Sequence, residues 1–92
     1  MNWDINCKPR FLKELANIPD NLRKEIEQFV FEIIPKTDNP FTFHGIEKMK
    51  GYRQFYKIRF GEYRMGFKID KKFHKIEFLR VLHRREIYRH FP

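Results

Sequence analysis

The sequence predicts a single α+β domain over residues 1–92, with a helical hairpin packed against an antiparallel sheet of about four strands. Three observations lead to this fold class. Apolar residues recur at helical spacing in the first half of the chain and alternate in the second half. A chain of 92 residues is enough for one domain and not for two. Its 41% hydrophobic and 17% aromatic residues exclude a disordered chain, although 35% of its residues are charged.

A short strand is predicted at the N-terminus. Trp3 and Ile5 alternate there with the polar residues Asn2, Asp4 and Asn6. Because successive side chains of a strand point to opposite faces, this alternation is typical of a half-buried strand.

Two helices are predicted next. The first begins at Pro9, which favours a first helical position, and its apolar residues recur at helical spacing through Leu15. Residues 18–21 form a break with capping residues. An amphipathic stripe over residues 22–34 predicts the second helix, and Pro35 is expected to end it. Because the break is short, the two helices form an αα-hairpin with one shared apolar face.

Residues 35–51 are predicted to be a connector, since Pro and Gly recur through them. A connector of this length is often functional or mobile. Phe41 and Phe43 are expected to hold it against the core.

The remaining chain predicts three antiparallel strands and a short C-terminal helix. Residues 53–60 and 63–69 alternate between apolar and polar, and Gly61 opens a two-residue loop between them, as a type II′ turn prefers. Residues 73–82 are apolar on both faces, as expected for a central strand. Residues 83–92 are expected to form the helix.

The loop length fixes the register of this hairpin. Arg59 then faces Arg64, and Lys57 faces Gly66, which leaves open space for a ligand beside Lys57. One flank therefore carries Lys57, Arg59, Arg64 and Lys68. Directly opposed like charges destabilise a sheet, whereas the planar fork of Arg matches phosphate oxygens, so the cluster favours a phosphate site. The alternative is that long cationic side chains simply extend into water.

The formal net charge of +8 is unevenly distributed. Residues 1–46 carry six Lys or Arg and seven Asp or Glu, a net charge of −1, whereas residues 47–92 carry fourteen and five, a net charge of +9. Such asymmetry indicates an anionic partner, and nucleic acid is favoured because no basic amphipathic membrane helix is apparent. A solvated basic face is the alternative.

Several protein classes are excluded or disfavoured. Cys7 is the only cysteine, so no internal disulfide is possible. The first residues do not resemble a signal peptide, and no stretch approaches the ~20 apolar residues of a membrane span, so a cytoplasmic location is expected. The cysteine and the histidines (His44, His74, His83 and His90) lack metal-ligand spacing, and no metal or cofactor is expected. The chain contains no serine, no Gly-rich phosphate loop and no helix-turn-helix signal in its basic half.

The C-terminal run over residues 79–88 adds polar candidates. Tyr88 can stack on an unpaired base, and Arg84 can neutralise charge that develops on phosphate. Two residues of this run also have a structural interpretation. His83 alone would more often be a structural histidine, and Tyr88 alone could equally be a core aromatic with its hydroxyl at the surface.

Together these segments resemble the RelE/ParE superfamily of bacterial toxins from toxin–antitoxin pairs. The likeness covers nearly the whole chain, including the paired helices. The matching motifs are Lys48-Met49-Lys50-Gly51, Tyr56-Lys57-Ile58-Arg59, Gly61-Glu62-Tyr63-Arg64 and Val81-Leu82-His83-Arg84 followed by Ile87-Tyr88.

The resemblance implies one of two functions. RelE-like members cut mRNA in the ribosomal A site, and ParE-like members inhibit DNA gyrase. The catalytic residues implied by the RelE-like pattern are Lys57, Arg59, Arg64, Arg84 and Tyr88. Residues of the surrounding surface expected to bind RNA or phosphate are Lys48, Lys50, Arg53, Lys68, His83 and Arg85. Arg59 departs from the RelE-like pattern, which commonly has Lys at this position. An arginine cannot readily give up a proton. A general-base role therefore moves to Lys57 or to His83.

The implied reaction is attack by the RNA 2′-hydroxyl on the neighbouring phosphate, which requires no metal. Lys57, whose own pKa would be lowered by neighbouring cations, would activate the hydroxyl. Arg59 and Arg64 would hold the phosphate. Arg84 would stabilise the leaving group, and Tyr88 would stack on or orient the nucleotide. The implied partners are an antitoxin with an acidic segment, the ribosomal A site and mRNA. The alternatives are a gyrase inhibitor and a toxin homologue with little activity.

Overall fold

The structure is a computed structural model that describes residues 3–92, and it confirms the α+β fold class. The predicted N-terminal strand, helical hairpin and C-terminal helix are all present. Asn2, which the alternation assigns to the polar face of the first strand, lies outside the described residues. In chain order the elements are β1 (Asp4–Cys7), α1 (Pro9–Leu15), α2 (Asp20–Gln28), β2 (Glu47–Lys48), β3 (Phe55–Phe60), β4 (Tyr63–Asp70), β5 (Lys75–His83) and α3 (Arg84–His90).

The sheet has five strands in the order β1-β5-β4-β3-β2, one more than the expected number of about four. β1 runs parallel to β5, and the other pairs are antiparallel. The parallel pair arises because the helical hairpin carries the chain across the sheet between β1 and the later strands. β2 lies within residues 35–51, which were predicted to be a connector without a strand. It consists of only Glu47 and Lys48, which pair with β3, and two residues are too few to show an alternation.

The helical segment that begins with α2 continues beyond it in altered geometry. Phe29–Ile33 form a π-helical turn, and Ile34–Lys36 form a 3₁₀ turn that contains Pro35. The helical segment therefore continues through Pro35 and ends at Lys36. A π-helical turn holds more residues than an α-helical turn and rotates those beyond it. Ile34 is accordingly buried while Ile33, which belongs to the predicted apolar stripe, is 41% exposed.

The main core lies between the helices and one face of the sheet. Phe11 and Leu15 of α1 are buried there, and so is Ile26 of α2. The connector packs against the same core through Phe41 and Phe43, as expected. Strand residues of this core are Ile58, Phe60, Met65, Phe67, Ile69, Ile76, Phe78 and Val81.

α3 covers the opposite face of the sheet, and a partly buried ion pair links α1 to Arg80 of β5, which also contacts the end of α3. Arg80 Nη2 lies 2.6 Å from Glu14 Oε2, and Val81 N donates to Glu14 Oε1 at 3.0 Å. Arg80 Nη1 also donates to the carbonyl oxygen of His90 at 3.3 Å. These contacts fix the position of α3 and of the side chains that it carries. Within residues 3–92 no helix is long and apolar enough to cross a membrane.

Candidate functional site

A cleft of about 160 Å³ opens on the face of the sheet that carries α3. β2, β3, β4 and α3 contribute to it, together with the loop before β2. Its lining residues are Gly45, Glu47, Lys57, Ile58, Arg59, Arg64 and Tyr88. Among the residues that the resemblance implied to be catalytic, four therefore meet here, namely Lys57, Arg59, Arg64 and Tyr88, and only Arg84 lies outside the lining.

The β3–β4 hairpin positions the cations of the cleft in the predicted register. Arg59 pairs with Arg64, and Lys57 pairs with Gly66. Gly61 begins the two-residue loop with a φ of 57°, a left-handed conformation that favours glycine. Since the side chains of paired residues point to the same face, the hairpin places three cations side by side.

The two arginines differ in their partners. Arg64 Nη1 donates to the carbonyl oxygens of Gly61 and Tyr63 at 3.0 and 3.1 Å, which holds the guanidinium against the turn. Arg59 is exposed, and its guanidinium makes no hydrogen bond or ion pair within residues 3–92. A guanidinium with unused donors presents a planar fork that suits two phosphate oxygens. Arg59 is therefore free to bind an anion, while Arg64 supplies a fixed charge beside it.

Lys57 joins β3 to α3 through Tyr88. Lys57 Nζ donates to Tyr88 Oη at 3.0 Å and lies 4.6 Å from the centroid of the same ring. This hydrogen bond lowers the pKa of the Tyr88 phenol, with further contributions from the charges of Lys57 and Arg64, while desolvation and Glu47 act in the opposite direction. Tyr88 is nevertheless 61% exposed, so its ring and hydroxyl remain accessible to a ligand.

Glu47 is a residue of the cleft that the sequence did not indicate. Its Oε2 atom lies 4.0 Å from Lys57 Nζ, and its side chain is 71% exposed. It is the single carboxylate among the lining residues. Its position depends on the pairing of β2 with β3, and no signal in residues 35–51 predicted that pairing.

The prediction of open space at Gly66 is wrong. A Cβ atom built on Gly66 would lie 2.7 Å from the ring of Phe91. Phe91, which follows α3, is 5% exposed and therefore fills the space that was assigned to a ligand. The absence of a side chain at Gly66 allows the C-terminal segment to pack closely on the sheet. This packing could not be read from the hairpin alone.

Arg84 and His83 lie at the junction of β5 and α3, where both make structural contacts. Arg84 Nε lies 2.8 Å from Glu62 Oε2, and Arg84 N donates to the carbonyl oxygen of Glu62 at 2.8 Å. His83 caps α3, since its Nδ1 accepts a hydrogen bond from Arg85 N at 3.2 Å. This cap fits the structural interpretation of His83, while Lys57, the other base that the resemblance implies, lines the cleft.

The other cations expected to bind RNA or phosphate lie outside the lining of the cleft. Lys48 of β2, together with Lys50 and Arg53 of the following loop, lines a separate recess. Lys68 lies on β4 opposite Glu77, and Arg85 is exposed in the first turn of α3. In full, this outer set consists of Lys48, Lys50, Arg53, Lys68 and Arg85.

The cleft has the groups needed to bind a phosphodiester and to move a proton. Three cations face one small volume, and a phenol with a lowered pKa lies at its edge. Cations of this kind stabilise charge that develops on phosphate, and a hydrogen-bonded titratable pair can transfer a proton. Within residues 3–92 there is no group of three or more His, Cys, Asp or Glu side chains that could hold a metal ion.

Comparison with known proteins decides the family. The family model described as the ParE toxin of the type II toxin–antitoxin system parDE matches residues 5–88. The chain belongs to the RelE/ParE superfamily of toxins. The toxin RelE3 of Methanocaldococcus jannaschii is 38% identical to this RelE/ParE chain over 82 residues, which is 89% of this chain and 91% of RelE3.

Solved structures of RelE/ParE toxins share the fold. A chain of the RelB–RelE antitoxin–toxin complex from Methanococcus jannaschii is 34% identical, with a TM-score of 0.78 over 95% of this chain and 99% of that one. A free mutant of the Escherichia coli toxin RelE is 19% identical, with a TM-score of 0.74 over 97% and 93% of the two chains. The predicted superfamily and its fold are thereby confirmed.

Proposed function

We propose that this toxin is a ribosome-dependent endoribonuclease that cuts mRNA without a metal ion. The observation that carries the proposal is the meeting of Lys57, Arg59, Arg64 and Tyr88 in one cleft. In the reaction, the 2′-oxygen of RNA forms a bond to the adjacent phosphorus while the bond from phosphorus to the 5′-oxygen breaks. The products are a 2′,3′-cyclic phosphate and a 5′-hydroxyl end.

Each residue that the resemblance implies to be catalytic has its own role in this reaction. Arg59 and Arg64 hold the two non-bridging phosphate oxygens and offset the charge that develops on them. Lys57, after it has given up one proton to solvent, accepts the proton of the 2′-hydroxyl as a neutral amine, and Tyr88 orients the nucleotide by stacking on its base. Arg84 stabilises the charge on the 5′-oxygen as it leaves, and this oxygen takes up a proton from water to give the 5′-hydroxyl. For this the Arg84 side chain must move away from Glu62.

The partners in this proposal follow from charge and from the relatives. The ribosomal A site and its mRNA are anionic, and the half of the chain from residue 47 onward is strongly basic. Two relatives were solved as complexes of RelE with the antitoxin RelB. We propose that this toxin likewise binds an antitoxin, and that an acidic segment of that partner covers the basic face.

The decisive experiment adds the purified protein to a translation reaction. The expected result is mRNA cut within codons when ribosomes are present and intact mRNA when they are absent. Lys57→Ala and Arg64→Ala should each slow the cleavage by at least about 100-fold. Lys24→Ala, at an exposed position on α2, is the matched control for loss of a positive charge. Cleavage at the wild-type rate by both cleft variants would place the reaction elsewhere.

A second function, inhibition of DNA gyrase, is favoured by one observation. The family model that matches residues 5–88 is named for the ParE toxin, and the resemblance implies that ParE-like members act on gyrase. A supercoiling assay with the same protein distinguishes the two functions. Inhibited supercoiling together with intact mRNA would support the gyrase function. If neither activity is found, the chain is a toxin homologue with little activity.

A further inference from the structure

The loop between β2 and β3 forms a second cationic surface next to the cleft. It encloses a recess of about 510 Å³ that is lined entirely by residues 48–53. Tyr52 is 50% exposed there. The three cations Lys48, Lys50 and Arg53 are also exposed, and their side chains make no ion pair or hydrogen bond within residues 3–92. The loop therefore combines an accessible aromatic ring with charges that have no protein partner.

Ring contacts place this loop on the same face of the sheet as the cleft. The ring centroid of Tyr52 lies 6.3 Å from that of Phe55, and Phe55 in turn contacts Phe91 at 5.7 Å. Phe55 is two residues before Lys57 on β3, so both side chains point to one face, about 7 Å apart along the strand. An extended RNA strand bound at Lys57 would therefore reach Tyr52 within one or two nucleotides.

The loop is held in this shape by its own backbone. Met49 N donates to the carbonyl oxygen of Phe55 at 2.8 Å, and Ile69 N donates to that of Gln54 at 2.9 Å. Gln54 has a φ of 69°, a left-handed conformation that is uncommon for a non-glycine residue. Such conformations persist where the surrounding contacts over-determine them. These contacts hold both ends of the short loop that carries Tyr52.

We propose that Tyr52 is a stacking platform for an unpaired base of the RNA, one or two nucleotides from the phosphate that is cut. Lys50 and Arg53 bind the phosphates on either side of that base, whereas Lys48 pairs with Tyr56 and so points to the other face of the sheet. The proposal rests on the proposed endoribonuclease function and extends its substrate site beyond the cleft. Single-stranded RNA fits better than a duplex, because base stacking on an aromatic ring requires an unpaired base.

The test is binding of a short single-stranded RNA that carries 2′-O-methyl groups and so cannot be cut, measured by fluorescence anisotropy. Tyr52→Ala should weaken binding by about 5-fold to 150-fold, because stacking contributes about 1–3 kcal/mol per base, and Tyr52→Phe should retain binding. Replacing Lys50 and Arg53 by Gln should lower the salt dependence, expressed as the slope of log K against log salt concentration, by about 1.4. Phe31→Ala is the matched control, since Phe31 is a 52% exposed aromatic on the helical layer.

A series of oligonucleotides with one abasic position identifies the stacked base. At that position the wild type and Tyr52→Ala should bind equally, because the base that Tyr52 contacts is missing. No binding by the wild type, or equal binding by Tyr52→Ala and wild type on every intact oligonucleotide, would overturn the proposal. Failure of the endoribonuclease function is read separately, from intact mRNA in the translation reaction.

Discussion

Lys57 Nζ lies 3.0 Å from Tyr88 Oη, although the two residues are 31 positions apart in the chain. The contact makes α3 part of the cleft that the β3–β4 hairpin begins. It also favours the phenolate form of Tyr88, because an ammonium that donates to a phenol stabilises the negative charge.

The first prediction concerns the titration of Tyr88. The hydrogen bond from Lys57 lowers the pKa of this phenol, so Tyr88 should ionise below the ordinary tyrosine value of about 10. The ultraviolet difference between wild type and Tyr88→Phe, followed against pH, measures this pKa. Lys57→Met should return it toward the ordinary value. Because the folded pKa is the lower one, the pair stabilises the fold above the unfolded pKa and ceases to do so as the pH falls through the folded pKa. An unchanged titration in Lys57→Met would contradict the assignment of the shift to Lys57.

The second prediction separates the proton acceptor from the stacking residue. Lys57→Arg keeps the positive charge but cannot accept a proton, so cleavage in the translation reaction should fall by at least about 100-fold. Tyr88→Phe keeps the ring and should lose less than about 10-fold, whereas Tyr88→Ala should lose more. The reverse order for Lys57→Arg and Tyr88→Phe would assign proton transfer to the phenol of Tyr88.

The third prediction concerns the ion pair between Arg84 and Glu62. Both side chains are more than half exposed, and Arg84 Nε is 2.8 Å from Glu62 Oε2. If Arg84 must leave Glu62 to reach RNA, then Glu62→Gln should raise the cleavage rate by up to about 5-fold, since exposed pairs contribute about 0.2–1 kcal/mol. Single-turnover cleavage on programmed ribosomes measures this. The double variant Glu62→Gln with Arg84→Ala should show no such gain, and a gain there would rule out Arg84 as the cause.

The fourth prediction concerns Gly66 and Phe91. A Cβ atom on residue 66 would lie 2.7 Å from the Phe91 ring, so Gly66→Ala must displace the C-terminal segment. Overpacking of this kind costs about 1–3 kcal/mol in the free energy of unfolding, which urea denaturation measures. In the background of Phe91→Ala the same change should cost much less, because the clash is gone. An equal loss of unfolding free energy in the two backgrounds would show that the Phe91 ring moves aside without cost.

The fifth prediction concerns the pair of Glu14 and Arg80, whose side chains are each 16% exposed. Glu14→Gln leaves the Arg80 charge without its partner, which we expect to cost about 3 kcal/mol, near the lower end of the range for buried pairs. Thermal and urea unfolding measure the loss. Lys8→Gln, which breaks a more exposed pair with Glu77, is the control and should cost less than about 1 kcal/mol. Similar losses in the two variants would indicate that the Glu14 pair contributes no more than a surface pair.

The sequence by itself determined those features that depend on local pattern. Period-two alternation and a glycine-initiated two-residue loop fixed the register that sets Arg59 opposite Arg64. Helical spacing and a first-position proline located α1, and the motifs of the hairpin and the C-terminal run identified the superfamily. Each of these follows from neighbours in the chain or from a single turn.

Only the tertiary structure decided the features that depend on packing between distant segments. Glu47 reaches the cleft through a two-residue strand that gains its hydrogen bonds from β3, and Phe91 fills the space above Gly66 because α3 folds back over the sheet. The same fold brings Tyr88 to Lys57 and ties Arg84 to Glu62. Contacts of this kind depend on how whole elements share a core, and no pattern of adjacent residues records them.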